Sequence, residues 1–298
     1  MGRSIFSQEG KKKIMKCCIS EWLKLLRIKH YVKNILVFVP LFFFQNITWE
    51  YIGLTSLGFL SYSLAASGIY IFNDIQDIEK DRLHPKKRKR PLASGTIKVK
   101  SAFAVGVLLT VLSIGISVYL KAICALILGS YIAINILYSI KLKHVPLMDV
   151  LILALGYLIR IFYGAYITDI DISAFLYLTV LSGALFMGLG KRRGEMKKAE
   201  DIDSSRKVLK YYTYEFLDKN LYVQMTLSIT FYSLWCLSFG DDPMLLFSVP
   251  VLIFVFLRYS LLLEGNSDGD PMDILESDYI MWGLILVLAV LVTVGIYF

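Results

Sequence analysis

The 298 residues contain only four cysteines, and these build no framework. Cys17, Cys18, Cys124 and Cys236 fall at no metal-ligand spacing, which excludes a thiolate metal site and a disulfide scaffold. Cys124 and Cys236 lie inside apolar runs, where a thiol serves as a small hydrophobe. Cys17-Cys18 lie beside the first such run, where acylation and an incidental pair are both open readings. A cleavable leader is also lacking: the basic start leads into an amphipathic segment and a long apolar run, so the N-terminus is expected to be retained. No repeat of fixed period is evident. Lysine and arginine are nearly absent from every second connection: those near 46–50, 121, 168–172 and 240–242 together hold only Lys121.

What is present is apolar sequence. Hydrophobic residues make up 56% of the chain and mean hydropathy is +0.61, yet there are 32 basic and 24 acidic residues. The charges are gathered between long apolar runs, a segregation that reads as an all-α integral membrane protein. About 20 apolar residues span the hydrocarbon core. Nine runs meet that need, at 25–45, 51–73, 102–120, 122–140, 146–167, 173–190, 222–239, 243–262 and 279–297. Residues 1–24 form a basic cytoplasmic segment and 25–298 a single transmembrane domain. Lysine and arginine number nine through Lys33, nine in 74–101, two in 141–145 and nine in 191–221. The positive-inside rule therefore makes the N-terminus and these loops cytoplasmic, with 263–278, and the C-terminus external. The net charge of +8 then records loop orientation and headgroup contact, and nucleic acid is not an expected partner. Asn46-Ile47-Thr48 matches a glycosylation triplet of the kind common by chance.

The chemistry is expected around Asn73-Asp74-x-x-Asp77-x-x-x-Asp81 at the cytoplasmic end of the second run. Spacings of three and seven residues put the three aspartates on one helical face. Like charges so placed call for a cation, and a hard divalent ion such as Mg²⁺, bound by one or two carboxylates with phosphates and water, suits them. A solvated acidic turn is the bland alternative. Five consecutive cations, Lys86 to Arg90, follow within about ten residues. Loop orientation accounts for part of that run, but metal carboxylates beside Lys87, Arg88 and Arg90 make a composite site for a diphosphate leaving group. Further candidates ring the same vestibule: Arg27, Lys33 and Asn34, Tyr138 and Lys141, and Lys191, Arg192 and Arg193. Asp149 and Arg160 share a face within the fifth run, Arg160 serving either a polar interior or a structural ion pair.

These residues resemble the UbiA superfamily of intramembrane prenyltransferases, whose first signature the Asn73 to Asp81 motif matches. The resemblance implies a nine-transmembrane-helix UbiA-type bundle with cytoplasmic cap loops. The superfamily's second aspartate-rich motif is not matched after run six, where Gly190-Lys191-Arg192-Arg193-Gly194-Glu195 is followed only by Glu200, Asp201 and Asp203. Lys33-Asn34, His84-Pro85-x-Lys87-Arg88, Arg90-Pro91, Leu137-Tyr138-Ser139 with Lys143-His144, Asp149 with Arg160, Gly190-Lys191-Arg192 and Arg258 through Asp270-Pro271 to Asp278 are similar instead to the branch that transfers phosphoribose to decaprenyl phosphate. That likeness implies phosphoribosyl pyrophosphate and a polyprenyl phosphate as substrates. It implies Mg²⁺ on Asp74, Asp77 and Asp81, with Mn²⁺ as a substitute, and is compatible with an oligomer. A prenyltransferase with an aromatic acceptor and a lipid transporter are the rival readings.

Overall fold

A computed structural model describes residues 19–44, 47–198, 207–239, 243–265, 274 and 278–298. Cys17-Cys18, Asn46, the 200–203 acids and Asp270-Pro271 lie outside the described residues. The fold is all helical, because in hydrocarbon each backbone N–H and C=O must be satisfied within its own segment. Helix α1 covers 19–26; a 3-10 segment, Ile28–Phe38, continues it into α2, Val39–Phe42. There follow α3 (Trp49–Gln76), α4 (Ile78–Leu83), α5 (Val99–Leu120), α6 (Ala122–Ile140), α7 (Met148–Thr168) and α8 (Ala174–Lys198). The last three are α9 (Tyr214–Phe239), α10 (Pro243–Glu264) and α11 (Tyr279–Tyr297).

Seven of the described helices are long and apolar enough to cross a membrane: α3, α5, α6, α7, α8, α10 and α11. Two of the nine predicted runs depart from that form, for different reasons. The first, 25–45, is broken at Arg27, whose φ of 53° and ψ of 47° are left-handed, and it winds as a 3-10 segment before Pro40 opens α2. The seventh lies inside α9, which begins eight residues earlier, and its own stretch is diluted by Gln224, Thr226, Ser228, Thr230 and Ser233.

Buried share sorts the helices into layers. In α3 and α7, 56% and 61% of the spanning window is buried, against 17% in α5 and α11, so the first two are the axis and the latter two face lipid. Around the axis pack Val37, Tyr62, Ala65, Ile69, Cys124, Leu128, Tyr131, Tyr163 and Ile167. The irregular first segment lies directly on α7. A Cβ on Gly164 would stand 2.0 Å from the carbonyl oxygen of Val37, so only glycine permits this approach of backbone to backbone. Gly164→Ala is expected to destabilise the protein by about 1–3 kcal/mol through overpacking. Thermal unfolding in detergent, compared with the same change at the uncrowded Gly129, checks this.

Candidate active site at the Asp74 pole

Helix α3 carries Asn73 and Asp74 in its last turn and stops at Gln76. Asp77 is the joint, at φ −96° and ψ 8°, and α4 restarts at Ile78. The three aspartates are not engaged together, although helical hydrogen bonds from Asp77 N–H to Asn73 and from Asp81 N–H to Asp77 run through the joint. Asp74 and Asp81, each 4% exposed, converge on one nitrogen: Arg90 Nη1 donates to Asp74 Oδ1 at 3.2 Å and to Asp81 Oδ2 at 2.7 Å. Asp77 is instead held by Lys143 Nζ, at 3.2 and 3.4 Å from its two oxygens. Asn73 accepts from the Ser139 hydroxyl, which ties α3 to the end of α6.

The basic run reaches the carboxylates by folding back. His84 Nδ1 accepts the backbone N–H groups of Lys86 and Lys87 at 3.2 and 3.3 Å, which winds Lys87–Lys89 into a 3-10 turn and brings Arg90 over Asp74 and Asp81. Lys87 and Arg88 remain exposed on that turn. Burial, and then the Lys87 charge, lower the His84 pKa and favour the neutral ring that accepts. As pH falls through this lowered pKa, beneath the ordinary histidine range, the ring gains a proton and loses this acceptor role. Activity is thus expected to be full above that range and to fall as pH drops below it. A pH–rate profile checks this: His84→Ala should be slower and flat across the same interval.

Arg27, expected among the cations of the vestibule, reaches the aspartates directly. From its left-handed position it donates through Nη2 to Asp74 Oδ1 at 2.5 Å, with its guanidinium 4.7 Å from the Tyr70 ring centre. A non-glycine residue held in this region is strained, and such strain collects at functional sites. Asp74 thus sits between two arginines and beside a second carboxylate.

Several predicted contacts lie elsewhere. Arg160 is 6% exposed and has no carboxylate partner among the described residues. Its Nε donates to Asn34 at 2.8 Å, Nη1 donates to the Gly156 carbonyl at 2.5 Å, and the guanidinium lies 4.8 and 5.3 Å from the Tyr62 and Tyr131 ring centres. Asn34 also donates to Ser63, which is eleven residues from Asp74 along α3, about 16 Å at 1.5 Å per residue. Asn34 and Arg160 are thus a knot in the bundle interior, set well below the carboxylates. The alternative of an interhelical ion pair is replaced by hydrogen bonds and aromatic faces.

Arg192 and Asp149 are both fully buried and paired at 2.6 Å, and Arg192 Nη1 reaches Glu195 at 2.6 Å. Arg192 is therefore not open to a ligand, contrary to the expectation of a phosphate contact. Arg258 pairs with Asp278 at 2.5 Å, and Asp278 caps α11 by accepting from Met281 N–H, so this predicted contact is likewise engaged within the fold. Lys33 is half-buried in the 3-10 segment, Tyr138 half-buried and Lys141 exposed at the end of α6, and Lys191 half-buried on α8.

The donor set bears on a metal. Among the described residues no three of His, Cys, Asp and Glu are grouped closely enough to hold an ion. Two buried carboxylates already share one cationic nitrogen, which meets the one or two carboxylates that Mg²⁺ takes when phosphates and water complete its shell. The site therefore fits a metal that arrives with a diphosphate better than one caged by protein alone. At the same pole an apolar groove of about 230 Å³ lies among Val150, Leu151, Leu189 and Phe216.

Residues 37–285 match the model of the UbiA prenyltransferase family. The chain is 35% identical over 299 residues to a decaprenyl-phosphate phosphoribosyltransferase of Mycolicibacterium smegmatis, covering 94% of this chain and 93% of that one. It is 34% identical over 281 residues to the enzyme of that name from Mycobacterium tuberculosis, with 92% of each covered. Its fold resembles a UbiA homolog from Archaeoglobus fulgidus bound to GPP and Mg²⁺, with a TM-score of 0.71 and 19% identity over 93% of this chain and 99% of that one. The buried carboxylates closing α3, the helical membrane architecture and these matches lead to one conclusion: the chain is an integral membrane protein belonging to the UbiA prenyltransferase family.

Proposed function

We propose that the protein transfers 5-phosphoribose from phosphoribosyl pyrophosphate to a polyprenyl phosphate of the decaprenyl type, releasing pyrophosphate. The observation that carries this reading is the asymmetry of the pole. Asp74 and Asp81 make one carboxylate pair, while on the α7–α8 side Asp149 and Glu195 are consumed by Arg192. Two facing acidic motifs, as expected of an enzyme that grips a prenyl diphosphate, are not found among the described residues. The relatives named decaprenyl-phosphate phosphoribosyltransferase, matched over nearly their whole length, support the same choice.

The bond from ribose C1 to the pyrophosphate oxygen breaks with its electron pair leaving on pyrophosphate, and a lipid phosphate oxygen bonds to C1. The lipid phosphate is already anionic, so no base is needed. Mg²⁺, or Mn²⁺, bound with the diphosphate would neutralise the charge that develops on it. Asp74 and Asp81 would hold the metal, with Asp77 and Asn73 beside them. Lys87, Arg88 and Arg90 face the pyrophosphate or the 5-phosphate, and Lys33, Lys141, Tyr138 and Lys191 the lipid phosphate. Arg192, Asp149, Arg160, Asn34 and Arg258 shape the bundle without touching substrate. Positioning and fixed charge supply most of the rate. The isoprenoid tail lies along apolar helix faces.

In this reading α2 with its 3-10 approach, and α9, complete a nine-span bundle. Residues 25–298 form the single membrane domain, 1–24 its basic cytoplasmic segment, and the Asp74 pole faces the cytoplasm with the C-terminus outside. Purified protein given labelled phosphoribosyl pyrophosphate, decaprenyl phosphate and Mg²⁺ is expected to yield lipid-linked phosphoribose. Chelation should stop turnover, and Mg²⁺ or Mn²⁺ should restore it. Turnover of a prenyl diphosphate with an aromatic acid, and none with this pair, would sink the reading.

A further inference from the structure

Leu147 is one of three non-glycine residues with positive φ among the described residues, at 67° with ψ −38°. It ends the turn between α6 and α7 and opens α7. Its backbone N–H donates to the hydroxyl of Tyr212 at 2.6 Å, and that hydroxyl donates in turn to Asp149 Oδ1 at 2.6 Å. The other oxygen of Asp149 accepts from Arg192. Tyr212 comes from far along the chain: it follows the 3-10 turn Lys207–Tyr211, whose Val208 and Leu209 are buried against Leu217 and Leu221 of α9. One phenol thus joins the start of α7 to α8 and to the approach of α9. It satisfies a strained N–H on one side and a buried carboxylate on the other.

The strained turn leads to the candidate site. Val145 N–H donates to Leu142 and His144 N–H to Lys141, while Asp149 N–H donates back to Val145, so successive backbone hydrogen bonds link residues 141–149. Within it Lys143 holds both oxygens of Asp77. We propose that Tyr212 is a positioning residue: by accepting from Leu147 and donating to Asp149, its hydroxyl fixes the turn that presents Lys143 to Asp77. The proposal rests on reading the Asp74 pole as the site of the diphosphate. Tyr212 acts without touching substrate, and its influence is expected on the diphosphate through Lys143.

The test uses the full chain in detergent with Mg²⁺. Inorganic pyrophosphate is titrated calorimetrically, alongside turnover with phosphoribosyl pyrophosphate and decaprenyl phosphate. Tyr212→Phe is expected to weaken pyrophosphate binding and raise KM for phosphoribosyl pyrophosphate by about five- to tenfold, the scale of one buried hydrogen bond, while the protein stays folded with a lowered thermal midpoint, since Leu147 N–H and Asp149 lose a partner. Lys143→Gln should give a similar loss, and the double variant no more than either alone. Leu147→Gly placed in the Tyr212→Phe background should recover most of the binding, because glycine holds this backbone without the tie. Unchanged pyrophosphate binding in Tyr212→Phe, losses that multiply in the double variant, or no recovery with Leu147→Gly would each overturn the proposal. Failure of phosphoribosyl transfer with the pyrophosphate coupling intact would count against the assigned reaction alone.

Discussion

Asp74→Asn is expected to lower kcat/KM by at least about a thousandfold, the scale seen when charge stabilisation of a leaving group is removed. The reason lies in how Asp74 is held. It is 4% exposed, stands between Arg27 and Arg90, and meets Asp81 at one arginine nitrogen. Removing its charge takes away half of the carboxylate pair that a diphosphate-bound cation needs. It also leaves two guanidinium groups competing for Asp81. Lipid-linked phosphoribose formed from labelled substrate measures the loss, and pyrophosphate binding by the same variant should fall with it. A transporter would keep its function after this substitution, so full activity in Asp74→Asn would remove the enzyme reading.

Arg192→Met should act on the fold first. It strands Asp149, whose side chain is wholly buried, with only the Tyr212 hydroxyl to satisfy it. Breaking a buried pair from one side costs about 3–5 kcal/mol. The thermal midpoint in detergent is expected to fall by roughly 10 °C on that account. Replacing both partners, Asp149→Leu with Arg192→Met, should recover much of the midpoint, since the buried Asp149 charge goes with its partner and Glu195, the other residue on Arg192, reaches solvent. Were the single variant as stable as wild type, the pair would not be the brace that its burial implies.

The long helices were legible because apolar runs of membrane length have few other fates, and α3, α5, α6, α7, α8, α10 and α11 all fall on expected runs. The pairing of Asp74 and Asp81 with the basic run was legible too, since Arg90 lies only nine residues beyond Asp81. What spacing could not show was the break at Asp77. The helical pattern continues through it, and Lys143, which holds its carboxylate, lies on another segment 66 residues away. Arg27 was legible as a vestibule cation, but its left-handed backbone and its hold on Asp74 were not, since such geometry at an arginine has no compositional signal. Arg192 carried the opposite ambiguity. A charge at a helix end looks the same whether it faces water or an aspartate on the next helix, and Tyr212, distant in sequence, offered no hint that it would join that pair.

The Asn34–Arg160 knot bears on how the protein is made. The first apolar stretch emerges from synthesis without the residues that hold its irregular backbone: Ser63 on α3, and Gly156, Arg160 and Gly164 on α7. A regular helix is the state that satisfies its backbone in lipid before those partners arrive. Contacts on two later helices hold the 3-10 form: Ser67 of α3 donates to the Leu26 carbonyl beside the bend at Arg27, and α7 supplies Arg160 and Gly164 further along. The first segment thus takes its final shape from sequence made after it, and its full set of partners exists only once the fifth predicted run has been synthesised.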